Sequence, residues 1–328
     1  MTDHFTIPDT YAAWTKDSDS RYKSTSGGAF TEFAKTILSH GGVVAGARYN
    51  DKCLVEHCII DCLEDVEIIR QSKYMSSAPQ NIYRKIKEKL DSGVEVGYCG
   101  SPCQVAGLYA FLGKDYDNLY TMDFICRGMN SPKAFRSWLD EEEEKAKGKA
   151  ARVWFKYKDG GWKSSPKRTR IDFEDGRYII REGENNLFMN GYLSSNLYIR
   201  PACGNCRFKG IPRQGDITLA DFWGIEESLD DDKGTSMILI NSSKGRDLFG
   251  ATKDKLIVYR RDFKEIFQGN PMFTESVAVP KEAHFFLKDL DSMKFSDALR
   301  KYDVYPESSS MKNFLARIKK RVKKMFRR

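Results

Sequence analysis

The feature that most constrains the fold is an alternation of helical and extended patterns between residues 24 and 135. Residues 29–39 place apolar side chains at helical spacing, after a Ser-Gly-Gly turn and before a Gly-Gly stop. Extended apolar segments and amphipathic segments then follow in turn. Because strand–helix–strand alternation is typical of an α/β core, we predict a mixed α/β, or α+β, fold.

The second half of the chain has a more antiparallel pattern. Three short alternating segments, 151–159, 167–175 and 176–182, are joined by Gly and Asp turns, as antiparallel strands are. A helix is predicted before them over 131–150, and we expect its acidic run 141–144 to form a solvated face. Residues 215–224 predict a strand that runs into a turn.

Composition and hydropathy narrow the class of protein. With 41% hydrophobic and 12% aromatic residues, the 328-residue chain is expected to be globular rather than disordered. No stretch reaches the roughly 18 apolar residues of a membrane span, and the first residues show no secretory signal. We therefore expect a cytoplasmic protein, whose eight cysteines are metal ligands, reactive groups or buried thiols rather than disulfides.

The net charge of +8 is concentrated in the C-terminal tail, residues 311–328. This tail has nine Lys or Arg and no acid, so the rest carries −1, which is +8 less the tail's +9. A nearly neutral body argues against a nucleic-acid partner. The tail's apolar stripe and basic face are typical of a helix on an anionic membrane surface, here the inner face of the membrane. A partner-docking helix and a solvated tail are the alternatives.

Four cysteines are candidate ligands of one metal centre. Cys203 and Cys206 have the two-residue spacing with which two thiolates bind one metal. Cys103 and Cys126 each follow a predicted strand, and strand ends at one edge of an α/β sheet lie close together. From spacing alone an iron–sulfur cluster, a zinc ion and a group of free thiols all remain open. We expect core packing for the cysteines near the second strand, and a spare thiol near the centre at Cys99.

Six motifs of the sequence occur in the order of one known family. They are SGGAF at 26–30, SKYMSS at 72–77, GSPCQ at 100–104, DFICRGMNSP at 123–132, CGNCRF at 203–208 and GDITLADFWG at 215–224. Through them, residues 22–241 resemble the beta-subunit family of coenzyme F420 hydrogenases and dehydrogenases. In the last motif we expect Asp216 or Asp221 to fix a loop or an arginine, and Trp223 to belong to the core.

The resemblance implies an iron–sulfur flavoprotein that exchanges electrons between a [4Fe–4S] cluster and FAD. The cluster ligands would be Cys103, Cys126, Cys203 and Cys206. The FAD pyrophosphate would lie on Ser26, Gly27 and Gly28, where backbone N–H groups and a helix N-terminus attract anions. Lys73 and Tyr74 would lie near the flavin. The small-molecule substrate would be a deazaflavin, a nicotinamide or a glycan precursor.

The sequence departs from the family pattern at three places. No cysteine precedes Cys53, so we expect a single cluster and a separate ferredoxin-like electron partner. Arg127 stands where the family often has His, which adds positive charge beside the cluster. Ser101 replaces the usual Thr and keeps the hydroxyl.

The predicted function is an iron–sulfur flavoprotein oxidoreductase in a polysaccharide biosynthesis pathway. The alternative is a non-redox, membrane-associated protein of such a pathway with a structural metal site. No catalytic acid or base is assigned, since the four histidines lie outside the motifs. The predicted regions are an N-terminal extension (1–21), a flavin-binding α/β half (22–132), a C-terminal half that completes the cluster site (133–265), a helical or irregular segment (266–310) and the basic tail (311–328).

Overall fold

A computed structural model describes residues 3–302 and 304 of the chain. The strands are β1 (His4–Thr15), β2 (Val43–Tyr49), β3 (Val55–Ile60), β4 (Val96–Cys99), β5 (Leu119–Phe124), β6 (Ala150–Phe155), β7 (Arg168–Phe173), β8 (Tyr178–Glu182), β9 (Ile217–Asp221), β10 (Ser236–Ser242) and β11 (Leu256–Arg261). The helices are α1 (Ser18–Lys23), α2 (Ala29–Ser39), α3 (Val66–Ile69), α4 (Ile82–Asp91), α5 (Pro102–Leu112), α6 (Pro132–Ala146), α7 (Leu187–Ser194), α8 (Ser243–Thr252), α9 (Ile266–Gly269), α10 (Ala283–Asp289) and α11 (Phe295–Lys301).

Eight strands form one mixed sheet in the order β11-β1-β10-β9-β5-β4-β2-β3. The central strands β2, β4, β5 and β9 pair in parallel, and the flanking pairs are antiparallel. The predicted mixed α/β fold is therefore confirmed. Because the four parallel strands point the same way, their carboxyl ends and the loops that follow lie at one edge of the sheet.

Helices cover both faces of this sheet because the side chains of each strand alternate between the two sides. Val44 packs with Phe33 and Ile37 of α2 and with Leu248 of α8. Its neighbour Ala45 lies in the opposite core, which α4 and α5 cover. The buried, apolar parallel strands predicted from the sequence are thus enclosed between two helical layers.

A smaller antiparallel sheet, β6-β7-β8, forms the second unit of the architecture. The core beside it is largely aromatic and includes Phe135 and Trp138 of α6, Phe155 of β6 and Phe188 of α7. Helices α10 and α11 contribute Phe286 and Phe295 to the same cluster. The antiparallel pairing predicted for residues 151–182 is confirmed.

Two predicted segments are packed more closely than the sequence suggests. Residues 4–15, within the segment 1–21 that the sequence presents as an extension, form β1 between β10 and β11. The expectation of a solvated run at 141–144 is wrong for Glu141 and Glu142, which are buried. The basic tail 311–328, for which membrane contact was predicted, lies outside the described residues. None of the described helices has the length and hydropathy that crossing a bilayer requires.

Candidate cluster and cofactor site

Cys103 and Cys126 lie at the carboxyl edge of the large sheet, after neighbouring parallel strands. Cys103 is in the first turn of α5, directly after β4, and is exposed. Cys126 follows β5 by two residues. Pairing of Val96 with Leu119 sets β4 and β5 in the same direction, so both loops leave the sheet side by side. This placement is as the sequence predicts.

Cys203 and Cys206 reach the same edge through a backbone contact between two loops. The Arg200 N–H donates to the Met129 carbonyl at 2.8 Å, and an isolated antiparallel bridge joins Asn130 to Ile199. This contact holds the turn Pro201–Asn205, which contains Cys203 and is followed by Cys206, against the loop that carries Cys126. The Met129 N–H lies 3.5 Å from Cys203 Sγ.

The four thiols lie within electrostatic reach of one another. Burial, together with Cys203 and Cys103, raises the pKa of Cys126 to about 12. Burial also raises the pKa of Cys203, and Cys103 and Cys206 add to the effect. Four mutually repelling thiolates in one place need a positive charge between or beside them.

Among residues 3–302 and 304, three His, Cys, Asp or Glu side chains do not anywhere form a group that could hold a metal ion. Lys209 is the nearby cation: its ammonium group donates to the Cys126 carbonyl at 2.7 Å and to the Met272 carbonyl at 2.8 Å. Burial lowers the pKa of Lys209, while Cys126, Cys206 and Cys203 counteract that effect.

A cavity of about 570 Å³ lies next to the cysteines, at the same edge of the sheet. Ser26, Gly28, Lys73 and Tyr74, four of the five residues predicted to contact the flavin, line it. Gly27 is not a lining residue: a Cβ there would lie 2.4 Å from the Ala13 carbonyl, so its role is close packing against β1. The fold therefore brings the Ser26–Gly28 turn and the Lys73-Tyr74 pair to one cavity, although more than forty residues separate them along the chain.

Gly28 begins helix α2 and needs to be glycine for two reasons. Its φ of 89° lies in the left-handed region, and a Cβ would lie 2.7 Å from Thr15 Cγ2. Residues 28–31 line the cavity, so the first turn of an eleven-residue helix faces it. The unpaired N–H groups of a first turn attract anions.

Lys73 lies half-buried in the cavity wall, without a carboxylate partner among the described residues. Its ammonium group donates to the Arg70 carbonyl at 3.0 Å and lies 5.6 Å from the centre of the Tyr49 ring. Burial, and then Arg152, lower the pKa of Lys73 to about 7. Tyr74 packs edge-on against Phe155, and burial raises the pKa of its hydroxyl.

The sequence motifs did not reveal one ion pair of the cavity. Lys156, on the loop after β6, pairs with Asp221 at the end of β9, and both side chains line the cavity. Burial acts to lower the pKa of Lys156, and the Asp221 carboxylate acts to raise it. Nothing in the sequence around Lys156 marks it, because only tertiary packing sets the small sheet against the large one. Trp223, expected in the core, lines the cavity and stacks on Trp162 at 4.1 Å.

His57 is a second lining residue that the motifs did not reveal. Neither of its ring nitrogens has a hydrogen-bond partner within the described residues, and burial lowers its pKa to about 4. The ring is tilted over Tyr98 at 5.7 Å, and Cys99 lines the cavity beside it. A neutral, unpaired imidazole is thus available to a bound molecule.

Comparison with known proteins identifies the family. A family described as the C-terminal part of the coenzyme F420 hydrogenase/dehydrogenase beta subunit matches residues 93–265, which include Cys103, Cys126, Cys203 and Cys206. The chain belongs to the coenzyme F420 hydrogenase/dehydrogenase beta-subunit family. It is a redox protein of the hydrogenase beta-subunit type. The predicted flavin residues lie before the matched segment. No curated protein matches the sequence.

A solved structure agrees with this assignment at the level of the fold. One chain of the F420-reducing [NiFe] hydrogenase complex from Methanosarcina barkeri, studied by xenon derivatization, is similar to the chain with a TM-score of 0.54. The two share 17% sequence identity over 92% of this chain and 95% of that one. The shared fold therefore extends beyond the segment that the family matches.

Proposed function

We propose that the protein is an oxidoreductase that passes electrons between a [4Fe–4S] cluster and FAD. In this proposal Cys103, Cys126, Cys203 and Cys206 hold the cluster. The cavity beside them holds the flavin, with its pyrophosphate at the first turn of α2.

The position of Cys126 is the observation that carries the proposal. Its side chain lines the cavity and also lies in electrostatic reach of Cys103 and Cys203. Residues 127–129, which follow it, line the same cavity. A cluster on Cys126 and a ligand in the cavity would share one wall, so electrons need to cross no intervening layer of protein.

The four cysteines offer the four thiolate ligands that a [4Fe–4S] cluster takes. Cys203 interacts electrostatically with Cys103, Cys126 and Cys206. The Gly128 N–H points to the Cys126 sulfur and the Met129 N–H points to the Cys203 sulfur. Lys209 adds a positive charge near these cysteines. Hydrogen bonds and nearby charge of this kind tune the potential of a cluster.

The cavity fits an anionic, partly aromatic cofactor. Its charged lining residues are Arg70, Lys73, Arg127 and Lys156 against Asp221 alone, which Lys156 neutralises. A volume of about 570 Å³ lies within the usual range of cofactor sites. The net positive lining and the helix N-terminus favour a diphosphate.

Bound FAD would supply the exchange of a hydride for two single electrons. Residues of the protein would orient the bound FAD and carry positive charge beside it. Lys73, with a pKa of about 7, can be protonated at little cost when negative charge develops beside it. Lys158 holds the segment before α2 that contains Ser26, since its ammonium group donates to the carbonyls of Arg21, Ser26 and Lys233 at 2.5 to 2.9 Å.

For the substrate we propose a deazaflavin, in keeping with the family to which the chain belongs, and for the electron partner a ferredoxin-like protein. The similar hydrogenase chain is part of a complex, which supports a protein partner. A place in polysaccharide biosynthesis stays a prediction of the resemblance. Membrane attachment through residues 311–328 stays a prediction of the sequence.

Loss of two ligands should remove the cluster. We expect the Cys203→Ser/Cys206→Ser variant, purified without oxygen, to lose at least nine-tenths of the iron and acid-labile sulfide found in the wild type, because serine oxygens are poor ligands for an iron–sulfur cluster. The measurement is iron, sulfide and flavin per polypeptide, with the absorption spectrum.

Cys62→Ser is the matched control, since Cys62 lies in the loop after β3, away from the site. It should keep the wild-type iron content. A wild-type protein that holds zinc, or neither iron nor flavin, would contradict the proposal and favour the structural-metal alternative.

A further inference from the structure

The segments that carry the four cysteines contain no acidic residue. The segments are residues 99–114, 125–139 and 199–215. Their charged side chains are all basic, and there are eight of them: Lys114, Arg127, Lys133, Arg136, Arg200, Arg207, Lys209 and Arg213. The tail accounts for nine more of the 54 Lys and Arg, which leaves 37 against all 46 Asp and Glu. The remainder of the chain is therefore acidic by nine charges, and the cysteine segments are a local exception.

Three of these eight cations are neutralised by carboxylates. The pairs are Lys133 with Asp291, Arg136 with Asp140, and Arg213 with Asp123. The other five have no ion pair within the part of the chain that the structure describes. Arg127, for example, donates to the Asn196 side chain and the Leu193 carbonyl, which are neutral.

Two of the uncompensated cations are exposed on the turn that carries Cys203 and Cys206. These are Arg200 and Arg207, and Cys103 is exposed as well. The Cys203 N–H donates to the Arg200 carbonyl at 2.9 Å. Ile211, which is 42% exposed, adds an apolar side chain to the same loop.

Acidic residues from the neighbouring segment do not cancel this charge. Residues 270–281 pack against the turn: the Cys206 N–H donates to Ser276 Oγ at 3.1 Å. That segment contains one acid, Glu275, and one base, Lys281. This segment therefore adds no net charge next to the turn.

We infer that the surface formed by Cys103, Arg200, Arg207 and Ile211 is the docking site of an acidic, ferredoxin-like electron carrier. This inference rests on the proposed cluster and adds the place and chemistry of the partner. Complementary charge raises the rate of encounter and fixes the orientation, while a small apolar centre gives short-lived contact. Each encounter transfers one electron: the carrier's iron is oxidised by one electron and the cluster is reduced by one.

The test uses the holoprotein and a small acidic ferredoxin. Arg200→Glu/Arg207→Glu should weaken the binding of oxidised ferredoxin, measured by titration calorimetry at low ionic strength, at least tenfold. Electron transfer from reduced ferredoxin should slow to a similar extent, and its dependence on salt should become flatter because the attraction is lost. Reduction by dithionite, which needs no docking, should be unchanged.

Lys89→Glu/Arg260→Glu is the matched control, since it changes the net charge equally. Lys89 lies in the last turn of α4 and Arg260 near the end of β11, both toward the opposite edge of the large sheet. Control binding should stay within twofold of wild type. If the two double variants bind ferredoxin equally well, the proposed docking site is wrong, while the cluster proposal stands. If the wild type contains no iron or sulfide, both are overturned.

Discussion

At the scale of the residue, side chains that look alike in the sequence differ in role because their partners differ. Glu142 is buried and pairs with Arg181 of β8 at 2.5 Å, whereas Glu144, two residues on, is exposed and pairs with Lys294. The same holds for the lysines. Lys73 is enclosed without a carboxylate among the described residues, and Lys156 is enclosed with Asp221.

Lys73 gives a pH dependence with a definite sign. Its folded pKa of about 7 lies below the ordinary lysine value, so above pH 7 the unfolded state binds more protons than the folded state. The penalty that Lys73 imposes on the stability of the wild type should therefore shrink as the pH rises from 7 to 10, and it should be present in full below pH 7. In Lys73→Met this penalty is absent.

The advantage of Lys73→Met over wild type should fall by about 2 kcal/mol between pH 6 and pH 9. Urea unfolding of flavin-depleted protein at each pH measures it. Lys158 is common to both proteins and cancels in the difference. Lys264→Met, at an exposed position, is the control and should show no such trend. A difference from wild type that does not change with pH would show that the buried ammonium carries no penalty.

At the scale of the element, helix α2 has a glycine in the left-handed region at each end, with different surroundings. Gly28, at its start, has φ 89°, and a Cβ added there would lie 2.7 Å from Thr15 Cγ2. Gly41, after the end of the helix, has φ 78°, and a Cβ added to it would lie in open space. The two positions share a positive φ, and of the two only Gly28 lines the cavity.

Gly28→Ala should therefore lower the flavin content more than Gly41→Ala. Both should lose about 1 kcal/mol of stability through the positive φ, and Gly28→Ala should lose more because its methyl group displaces Thr15. Flavin per polypeptide after gel filtration, with the midpoint of thermal unfolding, measures the two effects. Equal flavin contents in the two variants would argue against a cofactor at the start of α2.

At the scale of the whole molecule, buried ionic contacts tie the cysteine loops to the large sheet. Asp123 of β5 accepts from Arg213 at 3.0 Å and from Thr218 at 2.5 Å, and both acid and arginine are almost inaccessible. Of the two acids expected to fix a loop or an arginine, Asp216 accepts from Thr121 and Ser242 and joins β5 to β10, and Asp221 pairs with Lys156 on the loop after β6. These contacts hold the turn after Cys206 in place.

Removing one partner of the Asp123–Arg213 pair should destabilise the protein strongly. Arg213→Met leaves a buried carboxylate without its cation, so we expect a loss of about 3 to 5 kcal/mol in the free energy of unfolding, measured with urea. The Asp123→Asn/Arg213→Met double variant should recover part of this loss, because no buried charge is left. A single variant as stable as wild type would mean that the pair contributes nothing.

The sequence by itself determined the elements and the family. Hydrophobic periodicity predicted α2, β2 to β5 and the antiparallel strands β6 to β8, because amphipathic and alternating patterns are local properties. Strand direction also placed Cys103 and Cys126 at one edge, since β4 and β5 are joined by a helix and so run parallel.

Tertiary structure alone decided which distant residues face the cavity. β1 has few long apolar stretches, and its place between β10 and β11 depends on pairing partners more than 200 residues away. Lys156, after β6 of the small sheet, reaches the same cavity as His57 of β3 and Trp223 after β9, which belong to the large sheet. No local pattern records such contacts, because the free energy that fixes them comes from burial and pairing between segments remote in the chain.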